Sequence, residues 1–60
     1  LVNEGVGGQG RWLKLAEDAR QIDANAVLLR TAAGSEDVNA ARAAIGNIRT
    51  AAENASGRLS

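Results

Sequence analysis

Residues 29–41 read LRTAAGSEDVNAA, and this stretch decides the fold. Gly34 is the residue type that most easily takes the left-handed conformation with which many helices end. Ser35 is a favourable N-cap, and two acidic residues follow it, where negative charge stabilises the first turn of a helix. The stretch therefore predicts a tight turn at Gly34–Ser35, between one helix over residues 11–33 and a second over residues 36–57.

Apolar residues recur with alternating spacings of three and four on both sides of this turn. They are Trp12, Leu15, Ala19, Ile22, Ala26, Leu29 and Ala33 before it, and Val38, Ala41, Ile45, Ile48, Ala52, Ala55 and Leu59 after it. Such spacing marks one face of a helix. Folding the chain back places Ile22 opposite Ile48, and sets a large residue against a small one in nearly every layer. The sequence predicts an all-α fold: an antiparallel, close-packed, Ala-rich and coiled-coil-like two-helix hairpin.

The first ten residues, LVNEGVGGQG, contain four of the seven glycines. Because glycine has the highest entropic cost of ordering, residues 1–10 are predicted to be a flexible Gly-rich lead-in to a hairpin over 11–60. The segment Gly5–Gly10 also matches G-x-G-x-x-G, which binds dinucleotides only after a strand. Four residues precede it, so nucleotide binding is the least favoured function. The chain begins with Leu and not Met, which favours a piece of a longer protein.

Some apolar residues lie off the predicted seam. Leu13, Val27 and Leu28 belong to the first helix but not to its seam, and Trp12 lies at the open end of the hairpin. A two-helix hairpin cannot cover all of its apolar surface. We therefore expect these four residues to form an interface, either in a four-helix bundle of two hairpins or in a hairpin docked on a larger assembly.

Composition argues against several classes of function. The 60 residues include no Cys and no His, so the chain lacks the side chains of thiolate zinc sites and the commonest general base. No catalytic, metal or cofactor site is predicted. Seven basic and seven acidic residues are interspersed, which argues against a nucleic-acid partner. The longest apolar run, Ala26–Leu29, is too short for membrane insertion. No compartment is indicated.

The Ala-rich hairpin of residues 11–59 resembles half of the four-helix bundles in bacterial periplasmic sensor domains. It also resembles the bundle cytochromes, which implies haem ligands that this sequence lacks. The favoured function is a non-catalytic helical interaction or structural module, a small subunit or fragment of a larger assembly, with a protein partner or a second copy. The alternative is a ligand-sensing half-bundle of a receptor, in which Arg30 and Arg42, near the turn, form an anion site.

Overall fold

The structure, a computed structural model, describes the backbone of residues 2–60 and the side chains of residues 10–60. Within these residues it contains two helices: α1 spans Val2–Ser35 and α2 spans Val38–Leu59. The helices pack against each other in opposite directions, and the molecule measures 52 × 17 × 10 Å. The predicted all-α antiparallel hairpin is confirmed.

The turn lies two residues later than the sequence predicted. α1 continues to Ser35, and Glu36 takes a left-handed backbone conformation with a φ of 55°. Asp37 is the N-cap of α2, and its Oδ1 accepts a hydrogen bond from the backbone N–H of Ala40 at 3.0 Å. The prediction of a turn at Gly34–Ser35 is therefore wrong, since Gly34 lies inside α1.

Two backbone hydrogen bonds close the end of α1. The N–H of Asp37 donates to the carbonyl of Ala32 at 2.9 Å, and the N–H of Glu36 donates to the carbonyl of Ala33 at 3.2 Å. These bonds form a Schellman motif. A left-handed non-glycine residue costs about 1–2 kcal/mol. The carboxylate cap helps to offset this cost, because its full negative charge interacts with the helix dipole more strongly than the Ser35 hydroxyl could.

The helix–helix interface keeps half of the predicted seam. As predicted, half-buried residues recur every seven positions: Leu15, Ile22 and Leu29 on α1, and Ala41, Ile48 and Ala55 on α2. The row beside them was not predicted to lie in the interface. It consists of Asp18, Asn25 and Ala32 on α1, and of Ala44, Ala51 and Arg58 on α2. All of that second row is buried except Arg58, which is half-buried.

The other half of the predicted seam is not buried, so this part of the prediction is wrong. Seven of its members are exposed: Trp12, Ala19, Ala33, Val38, Ile45, Ala52 and Leu59. Both helices are rotated about their long axes relative to the prediction. The rotation lets Asp18 and Asn25 meet polar partners on α2, so that neither is buried without a hydrogen bond.

One side-chain contact joins the two helices near the middle of their interface. The Nδ2 group of Asn47 donates to Oδ1 of Asn25 at 3.1 Å. Ile22 and Ile48 are both half-buried in the same interface, and their direct pairing stays a prediction.

The first helix begins earlier than predicted. The sequence predicted a lead-in over residues 1–10, whereas α1 begins at Val2. Glycine raises the free energy of a helix without blocking it, and the chain contains no proline. A helix already formed also extends at little cost per residue. The division into a lead-in over residues 1–10 and a hairpin over 11–60 stays a prediction. Leu1 and the side chains of residues 2–9 lie outside the described part of the chain.

Candidate protein-interaction surface

One side of the hairpin is a continuous apolar surface, which we call the apolar face. It consists of Trp12, Ala19, Ala26 and Ala33 from α1, and of Val38, Ile45, Ala52 and Leu59 from α2. Each set recurs every seven residues, so it stays on one side along the length of its helix. At the turn, Ala33 and Val38 from the two sets line one groove of about 310 Å³ together with Glu36 and Asp37.

The large side chains of the apolar face are open to solvent. Trp12, Val38, Ile45 and Leu59 are exposed by 58%, 62%, 44% and 56%. The guanidinium of Arg11 lies 5.4 Å from the centroid of the Trp12 ring, which is cation–π geometry. The small residues between these side chains leave recesses along α1, so the face alternates large and small groups as helix-packing surfaces do.

The opposite side of the hairpin, which we call the polar side, carries polar groups around the interface at residues 18–25 and 47–54. Nearer the turn, the same side has a largely apolar cavity lined by Leu28, Ala32, Ala40 and Ala44. A further cavity on the polar side, of about 210 Å³, is lined by Asp18, Gln21, Asn47, Thr50, Ala51 and Asn54. Asn25 is buried nearby, and it accepts a hydrogen bond from Asn47 and donates one to the carbonyl of Gln21 at 2.8 Å. A polar residue within a helix interface favours one register over its neighbours. The pattern of apolar residues had not revealed this contact.

An ion pair closes the open end of the hairpin. Nε of Arg58 donates to Oδ2 of Asp18 at 2.7 Å, and its second nitrogen lies 3.4 Å from Oδ1. Asp18 is 6% exposed. The hydrogen bond to this carboxylate raises the pKa of the Arg58 guanidinium, and burial opposes that effect. The partner of Asp18 is thus a residue of the other helix.

The predicted interface residues are all exposed, but they do not share one surface. Trp12 belongs to the apolar face. Leu13 and Val27 lie on the outer side of α1, separated by 14 residues or roughly 21 Å. Leu28 lines a cavity of about 310 Å³ on the polar side, near the turn. Their joint role as an interface stays a prediction. Val38, Ile45 and Leu59 were predicted to lie in the buried seam, but they are exposed. Their spacing in multiples of seven had already placed them in one row along α2.

The anion site predicted at Arg30 and Arg42 stays a prediction. Arg30 and Arg42 are both exposed. Their helical positions place them on the two outer edges of the apolar face, Arg30 on the α1 edge and Arg42 on the α2 edge. Asp23 and Arg49 lie on the same two edges, seven residues away in each helix. The apolar face is thus bordered by charges of both signs.

The described residues lack two further kinds of feature. Within this part of the chain, no group of three or more Asp or Glu side chains is placed to hold a metal ion. Neither helix, over its described length, has an apolar stretch long enough to cross a membrane. The segment Gly5–Gly10 lies within α1, whereas a dinucleotide site requires a loop that follows a strand.

Comparison with known proteins gave no match to a family model, to a curated protein or to a solved structure. The fold and the surface therefore define the class to which the chain belongs. It is a two-helix hairpin that exposes large apolar side chains on one side.

Proposed function

We propose that this chain is a non-catalytic helical interaction module that contributes two helices to a larger assembly. The observation that carries the proposal is the apolar face. It runs the length of the packed hairpin and presents Trp12, Val38, Ile45 and Leu59 to solvent. An exposed, contiguous apolar surface on a small protein is typical of a site of protein–protein contact.

The small core supports the same proposal. Among the described residues, the buried apolar side chains are Ala32, Ala44 and Ala51, and no large side chain is fully buried. Alanine contributes little area, so the hairpin by itself gains little from the hydrophobic effect. A domain of this size rarely gains more than about 3–5 kcal/mol from its core. The hairpin needs a further packed surface to be stable.

Covering the apolar face would supply that stability. Complete burial of a large aliphatic side chain contributes about 1.5–3 kcal/mol, and about half of each large side chain on the face is already covered. The four together would then contribute roughly 4 kcal/mol. This is comparable to the whole stability expected of a small domain. Partner binding and folding are therefore expected to be coupled.

The chemical character of the described residues also favours a non-catalytic role. The chain has no histidine or cysteine. Lys14 is its only lysine, and this residue is exposed. A general base or an activated nucleophile requires a titratable group held in a cleft beside its substrate. The buried carboxylate of Asp18 is instead occupied by Arg58. The hairpin is suited to packing against another protein.

Photo-cross-linking of the full chain in the cells that produce it tests this function. p-Benzoylphenylalanine replaces Ile45 on the apolar face in one variant and Ala43, which is exposed on the polar side, in the matched control. Irradiation of the position-45 variant should yield a discrete protein adduct whose components are identified by mass spectrometry. The position-43 control should yield little. Absence of any adduct from position 45, or an equal adduct from both positions, would contradict the proposal.

A further inference from the structure

We propose that the apolar face binds one amphipathic helix of a different protein, and that the apolar stripe of this helix is bordered by acidic residues. The helix lies along the hairpin between α1 and α2, so that the assembly is a three-helix bundle. This inference rests on the proposed function, in which the apolar face is the contact surface. It adds the chemistry of the partner.

The α2 edge of the apolar face is basic. Arg42 and Arg49 lie on this edge, seven residues or about 10 Å apart along the helix axis. Both arginines are exposed, and neither of the two ion pairs among the described residues includes them. In a helix that covers the face, residues at one flanking position of successive heptads recur at the same spacing. Carboxylates at that position would therefore meet both arginines.

The α1 edge carries one charge of each sign. Asp23 and Arg30 lie on it, also seven residues apart, and both are exposed. Arg30 offsets Asp23 on this edge, and the carboxylate of Glu36 is confined to the turn, where it lines the end of the groove. The two arginines of α2 therefore set the charge preference of the face. Charges at the edge of an interface act mainly on the choice of partner.

The two rows of the face differ in size, which leaves room for one helix. Between Trp12 and the turn, the α1 row consists of alanines alone. The α2 row carries Val38, Ile45 and Leu59, each about half exposed. A partner helix that lies over the alanines of α1 can therefore pack its large side chains beside those of α2, as a helix in a groove does. A lipid surface has no fixed ridges to fit such recesses.

A second copy of this chain fits the edges poorly. It would bring three more arginines and a single carboxylate to them, so that arginines would face arginines. The formal net charge of the chain is zero, so this mismatch comes from the positions of the charges and not from their total. A different protein with an acidic border does not have this mismatch.

Two synthetic peptides that differ only at their flanking positions test the charge preference. Each has four heptads with leucine at a and d and glutamine at b, c and f. Positions e and g are glutamate in one peptide and lysine in the other, so like charges keep each peptide from pairing with itself. Trp12 is the only aromatic residue of the chain and lies on the apolar face, so its fluorescence reports binding.

At low salt, the full chain should bind the glutamate peptide about tenfold more tightly than the lysine peptide. This difference should vanish near 1 M salt, where the Debye length is about 3 Å. Equal affinity for the two peptides at low salt, or tighter binding of the lysine peptide, overturns the inference.

Charge reversal on the chain tests which residues cause the preference. Arg42→Glu/Arg49→Glu should favour the lysine peptide, because the α2 edge then becomes acidic. The matched control is Lys14→Glu/Arg20→Glu, which changes the net charge equally at exposed residues off the apolar face. It should keep the preference for the glutamate peptide, and circular dichroism follows helicity in each variant. Reversal in the control as well, or in neither variant, overturns the inference.

Other occupants of the face give different results. A wild type that dimerises in sedimentation equilibrium, and whose dimer the glutamate peptide fails to dissociate, would show that a second copy covers the face. A change in Trp12 fluorescence with phosphatidylglycerol vesicles, and none with the glutamate peptide, would show that the face binds an anionic lipid surface. Either result overturns the inference.

The cross-linked adduct at position 45 separates this inference from the proposed function. An adduct with a helix that carries carboxylates seven residues apart beside its apolar stripe, in a yield that Arg42→Glu/Arg49→Glu lowers, supports the inference. An adduct with a protein segment that lacks such carboxylates, or a yield that this variant leaves unchanged, overturns it and leaves the interaction module standing. No adduct at all overturns both.

Discussion

Asp18 and Arg58, which are 40 residues apart in sequence, form the ion pair that joins the open end of the two helices, with 2.7 Å between Oδ2 and Nε. The carboxylate is buried and the guanidinium is partly open to solvent. The pair lies on the row of residues between the helices, where apolar side chains usually pack. Its position makes the rotation of each helix about its axis dependent on a polar contact.

Arg58→Leu should lower the melting temperature, because it leaves the buried Asp18 carboxylate without a partner. The double variant Asp18→Leu/Arg58→Leu should recover most of this loss, since it removes both charges. The control is Arg20→Leu, which breaks only the exposed 3.8 Å pair with Glu17 and should change little. Melting curves followed by circular dichroism give the comparison. Equal melting of Arg58→Leu and Arg20→Leu would show that the pair does not stabilise the fold.

The pH dependence of this contribution has a definite sign. The pKa of Arg58 is raised in the folded chain by its bond to Asp18. A raised pKa means that the contribution is fully present below the unfolded pKa and is lost only as the pH rises through the higher folded pKa. The difference in melting temperature between wild type and Arg58→Leu should thus stay constant between about pH 6 and 9. A decline across this range would contradict the assignment.

Asn47→Ala should lower the free energy of unfolding by about 1 kcal/mol, because Oδ1 of the buried Asn25 then loses its donor. Asn54→Ala is the matched control, since Asn54 is exposed on α2 at the same helical position seven residues later. The control should be neutral or slightly stabilising, since alanine favours helix more than asparagine does. Urea unfolding of both variants measures the difference. Similar free energies of unfolding for the two variants would show that the Asn25–Asn47 contact does not stabilise the fold.

Two substitutions at the turn should both stabilise the chain. Gly34→Ala should raise the free energy of unfolding by about 0.5–1 kcal/mol, because Gly34 is helical and a Cβ there meets nothing within 4 Å. Glu36→Gly should raise it by about 1 kcal/mol, because glycine takes a positive φ without strain. A turn centred on Gly34–Ser35 would reverse the first result. Thermal unfolding of the two single variants therefore determines the position of the turn.

Ala44→Leu should destabilise the hairpin by about 1–3 kcal/mol, since Ala44 is 2% exposed and faces α1. Ala43→Leu adds the same volume at the exposed neighbouring position and should be nearly neutral. The measurement is chemical unfolding at one fixed chain concentration, so that association does not enter the comparison. A larger loss for Ala43→Leu than for Ala44→Leu would mean that α2 presents a different side to α1.

Much of the hairpin could be predicted from local pattern. The two helices, their antiparallel order and the half-buried rows that contain Ile22 and Ile48 follow from spacing and from turn residues close together in the chain. The turn itself was misplaced by two residues, because Gly34 and Ser35 are strong local signals. The turn forms at Glu36–Asp37 instead, because the Schellman bonds and the Asp37 cap together satisfy backbone groups at both helix ends.

The candidate surface could be predicted only in part. Trp12 was expected at an interface, and the structure exposes it on the apolar face. Val38, Ile45 and Leu59 were assigned to the buried seam and proved to be exposed. The apolar stripe of each helix is wider than the contact that one neighbouring helix can make. Periodicity identifies such a stripe, but it does not say which edge of the stripe is covered.

The sequence by itself determined that the chain forms two helices with a turn between them and an apolar stripe on each. Helix propensity, the three-four spacing and capping residues act over a few residues, so they can be recognised from the sequence alone. The tertiary structure alone decided the rotation of each helix and the register. Those depend on Asp18 with Arg58 and Asn25 with Asn47, pairs 40 and 22 residues apart. The free energy of such a contact exists only once the two helices are side by side.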